Sequence, residues 1–186
     1  MVLDTFRISP LIRITLLSLY LALTVPLPFL AIATQTPISP TLFWGGIAIG
    51  FGMLYGVLCE RVEVDEQEIR VTYPAWVRPL GRRGWSLPWA QVCDLQMRTT
   101  GQGGLVYYFV TPKRDRAYLL PMRVVGFARL VEIVTARTGL DTSDVRPLAQ
   151  PWMYVILLGV TVLLFLVDGW VVWTAIALPN GIGAPL

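Results

Sequence analysis

The run Arg61-Val62-Glu63-Val64-Asp65-Glu66-Gln67-Glu68-Ile69-Arg70-Val71-Thr72-Tyr73 decides the fold. Val62 and Val64 alternate with charged neighbours, and alternation resumes from Ile69 to Tyr73 beyond the polar Glu66-Gln67-Glu68. A period of two puts one set of side chains on a buried face and the other in water, as in a half-buried strand. The run therefore predicts a β-hairpin with a polar turn.

Charge marks out the segment to which this hairpin belongs. Residues 60–148 hold 13 of the 15 basic and 10 of the 12 acidic side chains, whereas Ile14 to Cys59 is a 46-residue run with no formal charge. After Pro147 the only charge is Asp168. At 55% hydrophobic and 15% charged the chain is far more apolar than a soluble domain, where charge is nearer ~25%. Apolar runs of this length predict bilayer-spanning helices. The expected plan is a membrane α+β protein: residues 1–59 an arm and a transmembrane hairpin, with spans near 14–33 and 41–59. Residues 60–148 form a soluble domain, with strands over 61–120 and a helix over 123–138. Residues 149–186 hold a third span near 152–178 and a short tail.

Within the soluble segment, Trp76-Val77 sits in a Pro- and Gly-punctuated connection and is expected to form a short strand. Gln91 to Thr99, Leu105 to Thr111 and Arg116 to Leu120 continue a meander of six or seven strands. Val124, Phe127, Ala128, Val131 and Val134 then fall at helical spacing, with Gly139 placed to cap the helix. Strands followed by a single packed helix indicate an antiparallel α+β domain.

In the apolar flanks, Ser9-Pro10 and Ser39-Pro40 read as helix starts, and Pro26 and Pro28 should kink or break the first span. The basic start, the apolar run and Ala31-Ile32-Ala33 also resemble a secretory signal. A second apolar run seven residues later favours keeping the segment as a membrane helix. On the second span Gly45, Ala48, Gly52 and Gly56 share a face, and small residues at that spacing let helices approach closely in lipid. Two readings are open for that face: packing on the chain's own spans, or docking on a partner membrane protein. Arg7 and Arg13 precede the first span and thirteen basic residues fill the soluble segment, while the Thr34–Pro40 turn and the C-terminal tail have none. The positive-inside rule then places the N-terminus and the domain on the cytoplasmic side.

A hairpin of apolar helices followed by Val62-Glu63-Val64-Asp65-Glu66-Gln67-Glu68-Ile69, by Leu87-Pro88-Trp89, and by Leu119-Leu120-Pro121 with a closing helix resembles membrane-anchored bacterial pleckstrin-homology-like domains. The resemblance covers about ninety residues. It implies a partly open barrel of seven strands plugged by the C-terminal helix, and a protein-interaction or membrane-surface module rather than an enzyme. Proteins of this anchored layout occur in cyanobacteria, where some look like assembly or accessory factors of thylakoid complexes.

Several constellations bear on function. The loop Gly81-Arg82-Arg83-Gly84 can aim guanidinium groups at phosphate or carboxylate, or can be a solvated turn. Asp168, alone in its apolar run, is either an interfacial residue or a contact for a partner, pigment or metal. Histidine is absent, no Gly-rich phosphate loop precedes a helix, and Cys59 and Cys93 are expected to be inert thiols, Cys93 within a strand. The acidic residues Glu60, Glu63, Asp65, Glu66 and Glu68 read as a solvated hairpin rather than a metal site. No catalytic residue, cofactor or small-molecule substrate is indicated, and a net charge of +3 gives no case for nucleic acid. The expected partners are an integral membrane protein complex and membrane lipids. The alternatives are an anionic-lipid surface sensor and a small subunit of a transporter or membrane enzyme.

Overall fold

A computed structural model of the chain describes residues 2–81, 83–99, 101, 105–112, 116–145 and 151–177. The chain divides into two compact units, one of Met1–Pro10 with Gly56–Gln150 and the other of Leu11–Tyr55 with Pro151–Leu186.

The first unit is built on two antiparallel sheets. Strands β1 (Val2–Arg7), β2 (Arg61–Asp65), β3 (Glu68–Thr72) and β4 (Trp85–Pro88) form one sheet in that order. Strands β5 (Asp94–Thr99), β6 (Leu105–Val110) and β7 (Ala117–Leu119) form the other. Register follows the alternation read from the sequence: Val62 faces Val71 and Val64 faces Ile69 across β2 and β3, and Ile69 faces Leu87 across β3 and β4. These side chains are buried with Phe109, Leu120, Phe127, Leu130 and Val134 in one core drawn from both sheets and the closing helix. Trp85 of β4 packs its ring on Phe109 and Tyr118 of the second sheet, at centroid distances of 6.5 and 5.2 Å, and so bridges the two layers.

The N-terminal arm departs from the expectation. It is a strand of the first sheet, with Phe6 opposite Val62 and Arg7 opposite Arg61. The arm also pairs on its other side: Ile8 bridges Val124, the Ser9 amide donates to the Arg123 carbonyl at 3.2 Å, and the Val125 amide donates to the Arg7 carbonyl at 2.9 Å. This pairing is why the helix expected from residue 123 begins later, as Phe127–Thr138 (here α4, numbered after the three earlier helices below). Its backbone at 123–125 is taken by the arm, and Gly126, at φ 76°, turns the chain into the helix. At the far end Gly139 has φ 70° and its amide donates to the Thr135 carbonyl at 2.8 Å.

Two smaller expectations are also corrected. Trp76-Val77 lies in a 3-10 helix, Ala75–Leu80, between Pro74 and Gly81, not in a strand, and Val77 is fully buried. Cys93 precedes β5 and is exposed, because only its backbone is engaged, donating to the Val110 carbonyl at 2.9 Å.

The second unit holds α1 (Pro10–Thr24), α2 (Pro26–Ala33), α3 (Pro40–Val57) and α5 (Pro151–Ala177). Pro26 breaks the first apolar run at Val25, since it lacks the amide that would continue the ladder. Among the described residues three helical stretches are long and apolar enough to cross a membrane: Pro10–Ala33, Pro40–Val57 and Trp152–Thr174. They pack through small polar contacts. The Tyr20 hydroxyl donates to the Ile47 carbonyl at 3.0 Å, and the Thr15 hydroxyl donates to the Tyr154 carbonyl at 3.4 Å. Such hydrogen bonds and close approaches hold helices together where hydrocarbon surrounds them.

Candidate functional site

The registers fix which loops share an end of the first sheet. β2 starts at Arg61 and runs away from α3; β3 returns to Thr72; β4 leaves again from Trp85. The 73–84 connection therefore lies at the same end as Arg7 and Arg61, the end from which α1 and α3 depart. The opposite end is the acidic turn, where Asp65 Oδ1 accepts from the Gln67 and Glu68 amides, both at 2.8 Å. Those two amide bonds hold the Asp65 carboxyl below its ordinary range. Arg7 and Arg61 thus mark one end of the sheet, with Glu60 beside them, and the Asp65 turn marks the other.

At the arginine end, a cleft of about 440 Å³ is lined by Arg70, Thr72, Tyr73, Arg83, Trp85 and Ser86 among others. Arg83 is exposed beside it. Arg82, named with it from the sequence, lies outside the described residues, as do Lys113, Arg114 and Asp115. The flanking glycines have backbone reasons to be there. Gly81 adopts φ 80°, and a Cβ on Gly84 would stand 2.2 Å from the Val71 carbonyl oxygen. Arg70 is paired with Glu68, which raises its guanidinium further above its ordinary range. What the cleft offers an anion is therefore chiefly Arg83, with the hydroxyl of Ser86.

The acidic residues named from the sequence are not gathered. Glu60 takes a hydrogen bond from the Tyr73 hydroxyl, Glu63 from the Thr72 hydroxyl at 3.4 Å, Asp65 closes the turn, and Glu68 holds Arg70. These four carboxylates each have a local structural task, and Glu66 is exposed in the turn.

The small-residue face of α3 is split. A Cβ at Gly45 or Gly52 would meet nothing within 4 Å, and Ala48 is exposed. At Gly56 a Cβ would meet Trp76 at 2.6 Å and Val77 at 2.7 Å, so Gly56 serves the fold of its own unit. The chain's own helix packing uses other positions: Tyr20 lies against Gly50, where a Cβ would be 2.3 Å from its hydroxyl, and against Phe51 at 6.3 Å between centroids. The sequence did not single out Gly50; the signal available was its place one turn from Ile47, on the side opposite Gly45 and Gly52.

Asp168 lies well inside α5 and is half-buried. Its Oδ2 is shielded and has no hydrogen-bond partner among the described residues, and the same holds for Nε of Arg13 near the start of α1.

The chain is 56% identical over 163 residues to a protein of Synechocystis sp. (strain ATCC 27184 / PCC 6803 / Kazusa) called "Uncharacterized protein slr0269", an alignment covering 87% of this chain and 82% of that one. No protein-family model matches the chain, and no solved structure does. With that identity sustained over most of both chains, the chain belongs to the same family as the Synechocystis protein.

Proposed function

We propose that the chain is a non-enzymatic, membrane-anchored interaction protein of pleckstrin-homology-like type that docks on, or helps assemble, a larger integral membrane complex. Its soluble unit would stand on the cytoplasmic side of a cyanobacterial thylakoid or plasma membrane. The observation that carries this reading is the open face of α3. Gly45 and Gly52 have no side chain or backbone within reach of an added Cβ, while the helices of the chain pack elsewhere. Glycine inside a helix costs about 1 kcal/mol relative to alanine. Two such positions left open on one face make sense where another helix comes close against them.

The test is recovery of membrane partners under mild detergent from cells carrying the wild type or Gly52→Leu. The variant should fold and insert normally, because the added side chain meets open space, yet lose the partner bands seen by mass spectrometry. Equal recovery from both would remove this surface. A second reading, an anionic-lipid surface sensor, is favoured by the position of Arg83 at the end of the sheet where α1 and α3 leave. It requires that Arg83→Ala weaken association with anionic vesicles in a salt-dependent way.

A further inference from the structure

The end of the first sheet carries a second basic group that the 81–84 loop does not include. Arg7 and Arg61 are direct cross-strand partners in the β1–β2 ladder. Both are exposed, because Phe6 and Ile8 on one strand and Val62 on the other take the buried face. Like charges directly opposite each other on one face destabilise a sheet. Arg123 joins them from the other side of β1: the Ser9 amide donates to its carbonyl and Val124 bridges Ile8, so Arg123 shares the outer face and lies diagonal to Arg7. Among the described residues none of the three forms an ion pair; the ion pairs there are Arg70–Glu68 and Arg129–Asp4.

A mainly apolar groove of about 230 Å³ adjoins Arg123, lined by Ile8, Val57, Leu58, Leu119 and Met122, with Glu60, whose carboxylate accepts from the Tyr73 hydroxyl, on its wall. This is below the ~300–1,000 Å³ of pockets that enclose a whole small molecule. Arg7 stands three residues before Pro10, where α1 starts, and Arg61 four after Val57, where α3 ends. Both helices belong to stretches apolar enough to cross a bilayer.

We propose that Arg7, Arg61 and Arg123 bind the phosphate of an anionic phospholipid, and that the adjoining groove takes part of its acyl chain. Guanidinium forks match phosphate oxygens, and an anion between Arg7 and Arg61 turns a repulsive pair into a bridged one. A free phosphate would satisfy the charge and leave the groove empty; a lipid uses both. The site is separate from Arg83 and from the α3 face, and it rests on the reading that α1 and α3 enter a bilayer.

The test uses the full chain in neutral phosphatidylcholine bicelles doped with increasing phosphatidylglycerol, read by melting temperature. The wild type and Arg83→Gln should be stabilised alike. Arg61→Gln and Arg123→Gln should each raise the mole fraction needed for half the effect about fivefold, the equivalent of about 1 kcal/mol per basic group. Without anionic lipid, Arg61→Gln should melt no lower than the wild type, since it relieves the Arg7–Arg61 repulsion; this separates loss of the site from loss of the fold. The site is overturned if phosphatidylglycerol leaves the wild type unchanged, if Arg83→Gln alone abolishes its effect, or if inorganic phosphate in neutral bicelles reproduces it. A chain that stays in solution without detergent would remove the membrane reading itself, whereas a membrane-bound chain indifferent to phosphatidylglycerol removes only this site.

Discussion

Deleting β1 should unfold the two-sheet unit, although residues 60–145 retain β2 to β7 and α4. Phe6 and Ile8 are each only 6% exposed. Burying each contributes about 1.5–3 kcal/mol, so the pair supplies about 3–6 kcal/mol. Their loss also strips the outer edge of β2 and the bridge from Ile8 to Val124 that sets the entry to α4. Against the ~5–15 kcal/mol that holds a whole domain together, this is a large share. Two soluble proteins make the comparison: residues 60–145 alone, and a chimera in which residues 1–8 run through Asn-Gly directly into Glu60. Because Arg7 faces Arg61, Ile8 falls opposite Glu60, and a two-residue turn closes the ladder there. In urea the chimera should melt cooperatively by circular dichroism. The bare fragment should melt about 1.5–3 M lower, taking ~2 kcal/mol per molar for the denaturant slope, or show no transition at all. Midpoints within about 0.5 M of each other would show that β1 is an ornament of the sheet and refute the reasoning.

Gly56→Leu should lower the melting temperature of the full chain by an amount equivalent to about 1–3 kcal/mol, because Trp76 and Val77 already occupy the space its Cβ would need. Gly45→Ala, on the same helix, should leave it unchanged or slightly higher. Asp65→Asn should alter the acid limb of stability measured on the chimera. The Asp65 pKa is depressed by the Gln67 and Glu68 amides, so its contribution is present above the ordinary carboxylate pKa of ~3.9 and is lost as pH falls through the lower folded value. The variant should lack that part of the loss; an unchanged acid limb would mean the turn is held without the charge.

What the sequence displayed depended on whether interacting residues were close along the chain. The β2–β3 hairpin is local: Val62, Val64, Ile69 and Val71 announce their face by alternation and pair across a short turn. The cap at Gly139 was legible for the same reason, but the stripe of α4 only in part: Phe127 and Val134 are buried as their spacing implied, whereas Ala128 is exposed and the fully buried Leu130 was not singled out. β1 carried the same signal, Phe6 and Ile8 alternating with Thr5 and Arg7, but its partner lies more than fifty residues further on, beyond a helical hairpin. Without the pairing, a short alternation before a helix start looks like an arm. The basic end of the sheet was hidden for a related reason. Arg7, Arg61 and Arg123 lie far apart in sequence, and only the β1–β2 ladder and the Ile8–Val124 bridge bring them to one face. The glycine face of α3 was visible as spacing, yet spacing could not say that Gly56 meets Trp76 while Gly52 meets nothing.

The pairing of β1 with β2 also constrains topology more tightly than charge counting does. Two strands hydrogen-bonded in one ladder must lie on one side of any bilayer, because an unpaired backbone group in hydrocarbon is too costly for the ladder to straddle it. Between them the chain contains two stretches apolar enough to cross, Pro10–Ala33 and Pro40–Val57. An even number of crossings returns the chain to its sheet, and a single crossing would tear β1 from β2. The hairpin is therefore a membrane-length insertion in a β-meander, its two ends held together by the β1–β2 ladder. The remaining apolar stretch, Trp152–Thr174, follows the completed sheet and is bound by no such parity. A cysteine-labelling map that put residues 5 and 63 on opposite sides of a sealed membrane would contradict the ladder itself, whatever the sign of the charges around it.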